Sequence, residues 1–134
     1  MLFQVNFKSG KPVYLQLVDQ VRAAVAAGGL RDGETLPGIR PLAVDIRVNR
    51  NTVAKAYAEL ERQGVIETVG GKGCFIRATA SPLKKDARRR LLAESIDAAV
   101  VHAHHLQIGK AEFLRLSEER FDALEQKRAR AATV

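Results

Sequence analysis

The residues in this sequence best equipped for chemistry are a crowd of hydrogen-bonding side chains, Asn49, Arg50, Asn51 and Thr52, with Lys55 following one helical turn later. Just before them, Leu42, Ala43 and Ile46 recur at helical spacing, and Arg47-Val48-Asn49 breaks the pattern. The segment therefore reads as a short apolar-faced helix, a tight turn and the polar start of a second helix, with Asn49 as its N-cap. A solvent-facing helix has little use for three such side chains in its first turn. A helix whose N-terminal end meets base edges in a major groove does, and the free N–H groups and dipole of that end also favour phosphate. Arg50 is the candidate base contact, Asn51 and Thr52 suit bases or phosphates, and Lys55 suits a phosphate. The plainer reading is a capped and solvated helix start.

Other reactive side chains do not assemble into a site. No motif brings together a His, a carboxylate and a nucleophile, and no Gly-Lys-Ser/Thr phosphate loop exists, so no enzyme is expected. Among His102, His104 and His105, the first two lie about 200° apart around a helix, so only His102 and His105 share a face. Packed or solvated histidines are the expectation, with no metal and no cofactor. The single Cys74 has only Lys72 as a nearby cation, which gives little basis for redox sensing.

The elements that must position the polar crowd follow from periodicity. Phe3, Val5 and Phe7 alternate in an extended lead-in over residues 1–10. A first helix starts at Pro12, carries Leu15, Val18, Val21, Ala24 and Val25 inward, and stops at Gly28-Gly29. Asp32-Gly33 marks a turn. A second helix covers Ile39 to Arg47 and a third Arg50 to Gln63, the latter burying Val53, Ala56, Tyr57 and Leu60 and ending at Gly64. Val65–Val69 and Cys74–Arg77 are strand-like runs around Gly70-Gly71-Lys72-Gly73, a hairpin with a basic tip. Three helices and a hairpin make a winged helix-turn-helix, so the fold class is mostly α with a small β-hairpin.

Ala78-Thr79-Ala80-Ser81-Pro82 reads as a linker, dividing a winged domain at 1–77 from a helical tail at 83–134. The tail pattern gives one helix over 83–107, interrupted at Gly109, and a second bearing Phe113, Leu114, Leu116, Phe121 and Leu124, with fraying from about Ala129. A two-helix hairpin has a thin core. Leu92, Ile96 and Val100 on the first helix, with Phe113, Leu116, Phe121 and Leu124 on the second, are therefore expected to pair with a second copy.

At 134 residues with 22 Lys+Arg against 15 Asp+Glu, a net charge of +7 and a pI near 10.0, the chain favours polyanions, nucleic acid before membrane. No run reaches the roughly 18 apolar residues of a membrane span, and residues 1–6 lack a signal-peptide pattern. The expected place is the cytoplasm, on the nucleoid when DNA is bound. The block Lys84, Lys85, Arg88, Arg89 and Arg90 adds either phosphate contacts or a solvated helix start.

The chain also resembles a known family, the DNA-binding domain of GntR-type bacterial transcription regulators, over roughly residues 1–77. The similarity lies in Pro12-x-Tyr14-x-Gln16, Gly29-Leu30, Asp32-Gly33, Leu36-Pro37-x-x-Arg40, Leu42-Ala43, Val48-Asn49-Arg50-Asn51-Thr52-Val53, Ala56-Tyr57-x-x-Leu60-Glu61, Gly64 and Gly71-Lys72-Gly73-Cys74-Phe75-Ile76. The short tail is similar to the YtrA-type subgroup. The resemblance implies DNA contacts from Arg40, whose alternative is pairing with Asp45 or Glu34, and from a wing tip at Gly71, Lys72 and Gly73, whose alternative is an ordinary turn. Gly38 departs from the Ser or other small residue usual in the family, which removes a hydroxyl but leaves a backbone N–H. The implied function is a homodimeric regulator, foremost a repressor, on a palindromic double-stranded operator. The competing classes are a winged binder without sequence preference and a metal- or ligand-responsive sensor. No residue identifies an effector.

Overall fold

The computed structural model describes residues 3–77 and 85–132. Five helices and one hairpin follow in order: α1 (Val13–Ala26), α2 (Ile39–Ile46), α3 (Arg50–Arg62), β1 (Ile66–Val69), β2 (Gly73–Ile76), α4 (Lys85–His105) and α5 (Lys110–Ala132). The expected linker at 78–82 lies outside the described residues.

Each helix of the first half ends where its sequence prescribes. The N–H groups of Gly28 and Gly29 close onto the carbonyls of Val25 and Ala24, and those of Gly64 and Val65 onto Glu61 and Leu60, so carbonyls left over at each helix end are satisfied. The same closure ends α2, where the N–H groups of Arg47 and Val48 reach Val44 and Ala43. There the left-handed position is taken by Arg47, at φ 58° and ψ 50°. A residue with a β-carbon costs roughly 1 kcal/mol in that conformation. α3 opens on Asn49, whose carboxamide oxygen accepts the Asn51 N–H at 2.8 Å, as its N-cap role requires. On the outer face of α3, hydrogen bonds from Arg62 and Gln63 hold the Glu59 carboxyl down to about 2.

The apolar faces converge on α3, which packs against α1, α2 and β1. Leu17, Val18 and Val21 of α1, Leu42 and Ala43 of α2, Val53, Ala56, Tyr57 and Leu60 of α3, and Ile66 and Ile76 of the hairpin are buried together with Phe3, Leu30 and Leu36. Tyr57 brings a hydroxyl into this core, and the hydroxyl donates to the Pro37 carbonyl at 2.6 Å. Burial keeps that phenol protonated well above its usual range.

Two features escaped the periodicity. β1 and β2 pair antiparallel from Ile66↔Ile76 to Val69↔Gly73, but Thr35 also bridges Phe75, the Leu36 N–H donates to the Cys74 carbonyl and the Ile76 N–H to the Glu34 carbonyl. The turn at Asp32-Gly33 thus supplies a short third rung to the wing. The lead-in segment is no strand. Phe3 is buried, Phe7 stands 64% exposed, and Gln20 and Gln16 of α1 exchange paired hydrogen bonds with the backbones of Gln4 and Asn6. Side-chain amides four residues apart on α1 replace a neighbouring strand.

In the tail, α4 and α5 form on either side of a short turn, but the left-handed residue is Gln107 at φ 59°, ahead of the expected break at Gly109. α5 extends to Ala132 among the described residues. Arg31 donates to the Ala131 carbonyl at 2.7 Å and so caps the helix end. Among the described tail residues only Ala103 is buried. Leu92, Ile96, Val100, Leu116, Phe121 and Leu124 are all exposed and Phe113 is half-buried.

Candidate nucleic-acid interface

The core just described fixes the backbone of α3 and leaves its N-terminal turn outside. Arg50 and Asn51 are exposed and Thr52 is half-buried, while Val53 directly behind them is fully buried. Asn49 spends its carboxamide oxygen on the cap. One turn on, Lys55 is exposed, but its ammonium lies 4.1 Å from the centre of the Tyr14 ring, tying α3 to α1. Its expected phosphate contact would require it to share or leave that ring.

Arg40 emerges from the first turn of α2, and neither of the expected alternatives, Asp45 and Glu34, pairs with it. Among the described residues, Arg40, Arg50 and Lys72 make no side-chain hydrogen bond, ion pair or ring contact. Four other cations of the winged half find partners, Lys11 with Asp19, Arg62 with Glu59, Arg77 with Glu67 at 3.9 Å, and Arg31 with the Ala131 carbonyl, whereas Lys8, Arg22 and Arg47 have no side-chain partner among the described residues. Unpartnered charge thus stands at the helix-turn-helix and at the wing tip. Gly38 is the N-cap of α2 with no side-chain cap, so the first N–H groups of that helix are left to solvent or an anion.

The wing tip is built by Gly71 and Gly73 at φ 78° and 103°, conformations that a β-carbon disfavours. Both glycines and Lys72 are exposed, with open space around Gly70, Gly71 and Gly73. Such a tip can approach a groove closely while Lys72 adds a charge.

Several positioning residues lie outside the sequence-derived set. The Tyr57 hydroxyl fixes the Pro37 carbonyl one residue before Gly38, which sets where α2 and Arg40 begin. Gln16 donates to the Asn6 and Lys11 carbonyls and anchors the lead-in. The i,i+4 spacing of Gln16 and Gln20 was the available signal. Cys74 is half-buried with the Thr68 hydroxyl at 3.5 Å. Among the described residues no three His, Cys, Asp or Glu side chains are grouped to hold a metal, and no helix is long and apolar enough to cross a membrane.

Comparison with known proteins adds to this geometry. A family profile described as bacterial regulatory proteins, gntR family, matches residues 13–76. The HTH-type transcriptional repressor YtrA of Bacillus subtilis is 35% identical over 104 residues, covering 78% of this chain and 80% of the relative. Among solved structures, a transcriptional antiterminator from Listeria monocytogenes superposes with a TM-score of 0.80 at 35% identity over 92% of both chains. YtrA from Sulfolobus acidocaldarius, a GntR-family transcription factor, gives 0.56 at 30% identity, covering 72% of this chain and 99% of that one.

Proposed function

This chain belongs to the gntR family of bacterial regulatory proteins, on its YtrA-type branch, and from that premise we propose that it is a repressor that binds a two-fold symmetric operator as a homodimer. It is a sequence-specific DNA-binding transcription regulator, as its relatives are. The observation that carries the reading is the exposed, unpartnered first turn of α3, with Arg50 and Asn51 projecting from a helix whose other face is locked in the core. α3 enters the major groove with Arg50 on base edges, and Asn51 and Thr52 serve bases or phosphates. The wing tip at Gly71-Lys72-Gly73 lies in the adjacent minor groove, and Arg40 contacts DNA from α2.

The homodimer reading is supported by the tail. Its open face includes Leu92, Ile96 and Val100 at four-residue spacing on α4, and Leu116, Phe121 and Leu124 on α5. Charge favours a second copy as well, since α4 begins with Lys85, Arg88, Arg89 and Arg90 while mid-α5 carries Glu118, Glu119, Asp122 and Glu125. Among the described residues no ion pair joins these sets within one chain. The winged domain at 1–77, the linker at 78–82 and the dimerising tail at 83–134 are then the working parts of a cytoplasmic, non-enzymatic regulator.

Selection of bound duplexes from a random-sequence pool tests this reading. The expected product is a motif of two inverted half-sites about one helical turn apart. On that duplex Arg50→Ala should lose about 1–3 kcal/mol and relax one or two positions, whereas Lys72→Ala should weaken all duplexes about equally and flatten the salt dependence. Recovery of no motif would favour a binder without sequence preference. Equal loss on specific and random DNA by Arg50→Ala would remove its base-reading role.

A further inference from the structure

The turn between α2 and α3 contains an arginine where the backbone favours glycine. Arg47 is held at φ 58° and ψ 50°, a left-handed position that penalises any β-carbon. Its side chain is exposed and, among the described residues, has no hydrogen bond, ion pair or ring contact. The helix-closing hydrogen bonds of Arg47 and Val48 hold the backbone in that conformation, and the guanidinium is left free for a partner outside the chain.

The register of α2 says which way. Leu42 and Ala43 are buried and Ile39 and Ile46 half-buried on one side. Arg40 and Val44 lie on the other, and the exposed Arg47 follows as the C-cap of the helix. Val44 between them is 77% exposed. This open side leads from the unpartnered Arg40 toward the turn that holds Arg47, three residues before Arg50. A turn leading into a groove-bound helix passes over the phosphate backbone rather than the base edges.

We propose that Arg47 is a DNA-backbone contact, a positioning residue whose guanidinium grips a phosphate at the mouth of the groove and fixes the register in which α3 enters. The assignment rests on the operator-binding reading above. Gln107 supplies an internal reference: it has a matching positive φ of 59°, with no charge, in the turn between α4 and α5.

The test uses full-length protein and two labelled probes, a duplex enriched by the wild type from a random pool and a random-sequence duplex, each titrated across a salt series. Arg47→Gly and Arg47→Asn relieve or tolerate the left-handed backbone and remove the charge, whereas Arg47→Lys keeps both strain and charge. Arg47→Gly should raise Tm while weakening both probes by a similar factor of about ten, and should reduce the slope of log affinity against log salt by about one. Arg47→Asn should weaken binding in the same way without lowering Tm. Arg47→Lys should keep most of the affinity, the slope and the Tm. A residue serving only the fold would give the reverse pattern, with Tm falling in the glycine variant. Unchanged affinity and slope in Arg47→Gly overturns the proposal, as does a loss confined to the enriched duplex, which would make Arg47 a base reader. If the wild type enriches no duplex, the operator reading fails first and this assignment with it. If the wild type enriches a motif that Arg47→Gly binds equally well, only the Arg47 assignment falls.

Discussion

The winged half and the helical tail are patterned by the same rules and end in opposite states. In the winged half most apolar residues are used up within the chain, with Val21, Val53, Ala56 and Leu60 at 0% exposure and Leu17 and Ile76 at 1%, while Phe7 and Val44 stay open at 64% and 77%. In the tail Phe121 is 68% exposed, Leu92 62% and Leu114 55%. α1, α2 and β1 packed on α3 enclose a volume, whereas α4 and α5 leave their apolar stripes open. Burying each such side chain is worth about 1.5–3 kcal/mol. A face of several can offset the roughly 4–15 kcal/mol lost on association. One half is thus closed within the chain, and the proposed second copy would close the other.

The largest expected effect tests that contrast directly. Leu60→Ala removes a fully buried side chain beneath α3, and should lower the stability of the winged half by about 2–5 kcal/mol at every protein concentration. Phe121→Ala should leave the unfolding of that half where it was and weaken self-association instead. Denaturant melts at two concentrations, read beside sedimentation, separate the two. A comparable, concentration-independent loss from Phe121→Ala would mean that the tail is part of a single core.

A charge placed in the tail sharpens the same point. Ile96→Asp or Val100→Asp puts a carboxylate in the open stripe of α4, where an isolated chain leaves it solvated and a dimer would bury it. The expected outcome is a monomer with an intact winged fold, weaker binding to a two-fold symmetric duplex, and a Tm that no longer rises with protein concentration. A variant that remains a tight dimer would move the interface elsewhere.

What the sequence disclosed divides along similar lines. α3, its Asn49 cap and its termination at Gly64 were legible because each is decided within a few residues. The unpartnered stripe of α4 was legible because four-residue spacing and the absence of a second layer are both visible in the chain. The rung from Thr35 to Phe75 was not, since residues 34–36 extend only because β2 lies beside them. Arg47 and Gln107 at positive φ were also hidden, because neither side chain carries the signature of a left-handed position and the helix closures around them decide it. The polar first turn of α3 was visible as chemistry, whereas the freedom of Arg40 and Arg50 from internal partners needed the folded arrangement of the acidic residues.

The smallest effect is expected at Gly38. It caps α2 in an extended conformation, φ −61° and ψ 156°, with no side chain to accept an N–H. Any residue adopts that backbone, and a β-carbon there would meet Pro41 Cδ at 3.4 Å and Cγ at 3.7 Å, which is ordinary contact. Gly38→Ser therefore adds a capping hydroxyl without strain, and because glycine is already a fair cap the gain is a few tenths of a kcal/mol. For a domain of this size that is about 1–3 °C in Tm. The shift should be the same at low and high protein concentration, since α2 belongs to the half that folds on its own. The new hydroxyl also stands beside the free N–H groups that precede Arg40, so duplex binding should be unchanged or slightly tighter. A thermal melt at two concentrations reads the first effect, and a shift that grows with concentration would show that even the cap of α2 depends on the tail.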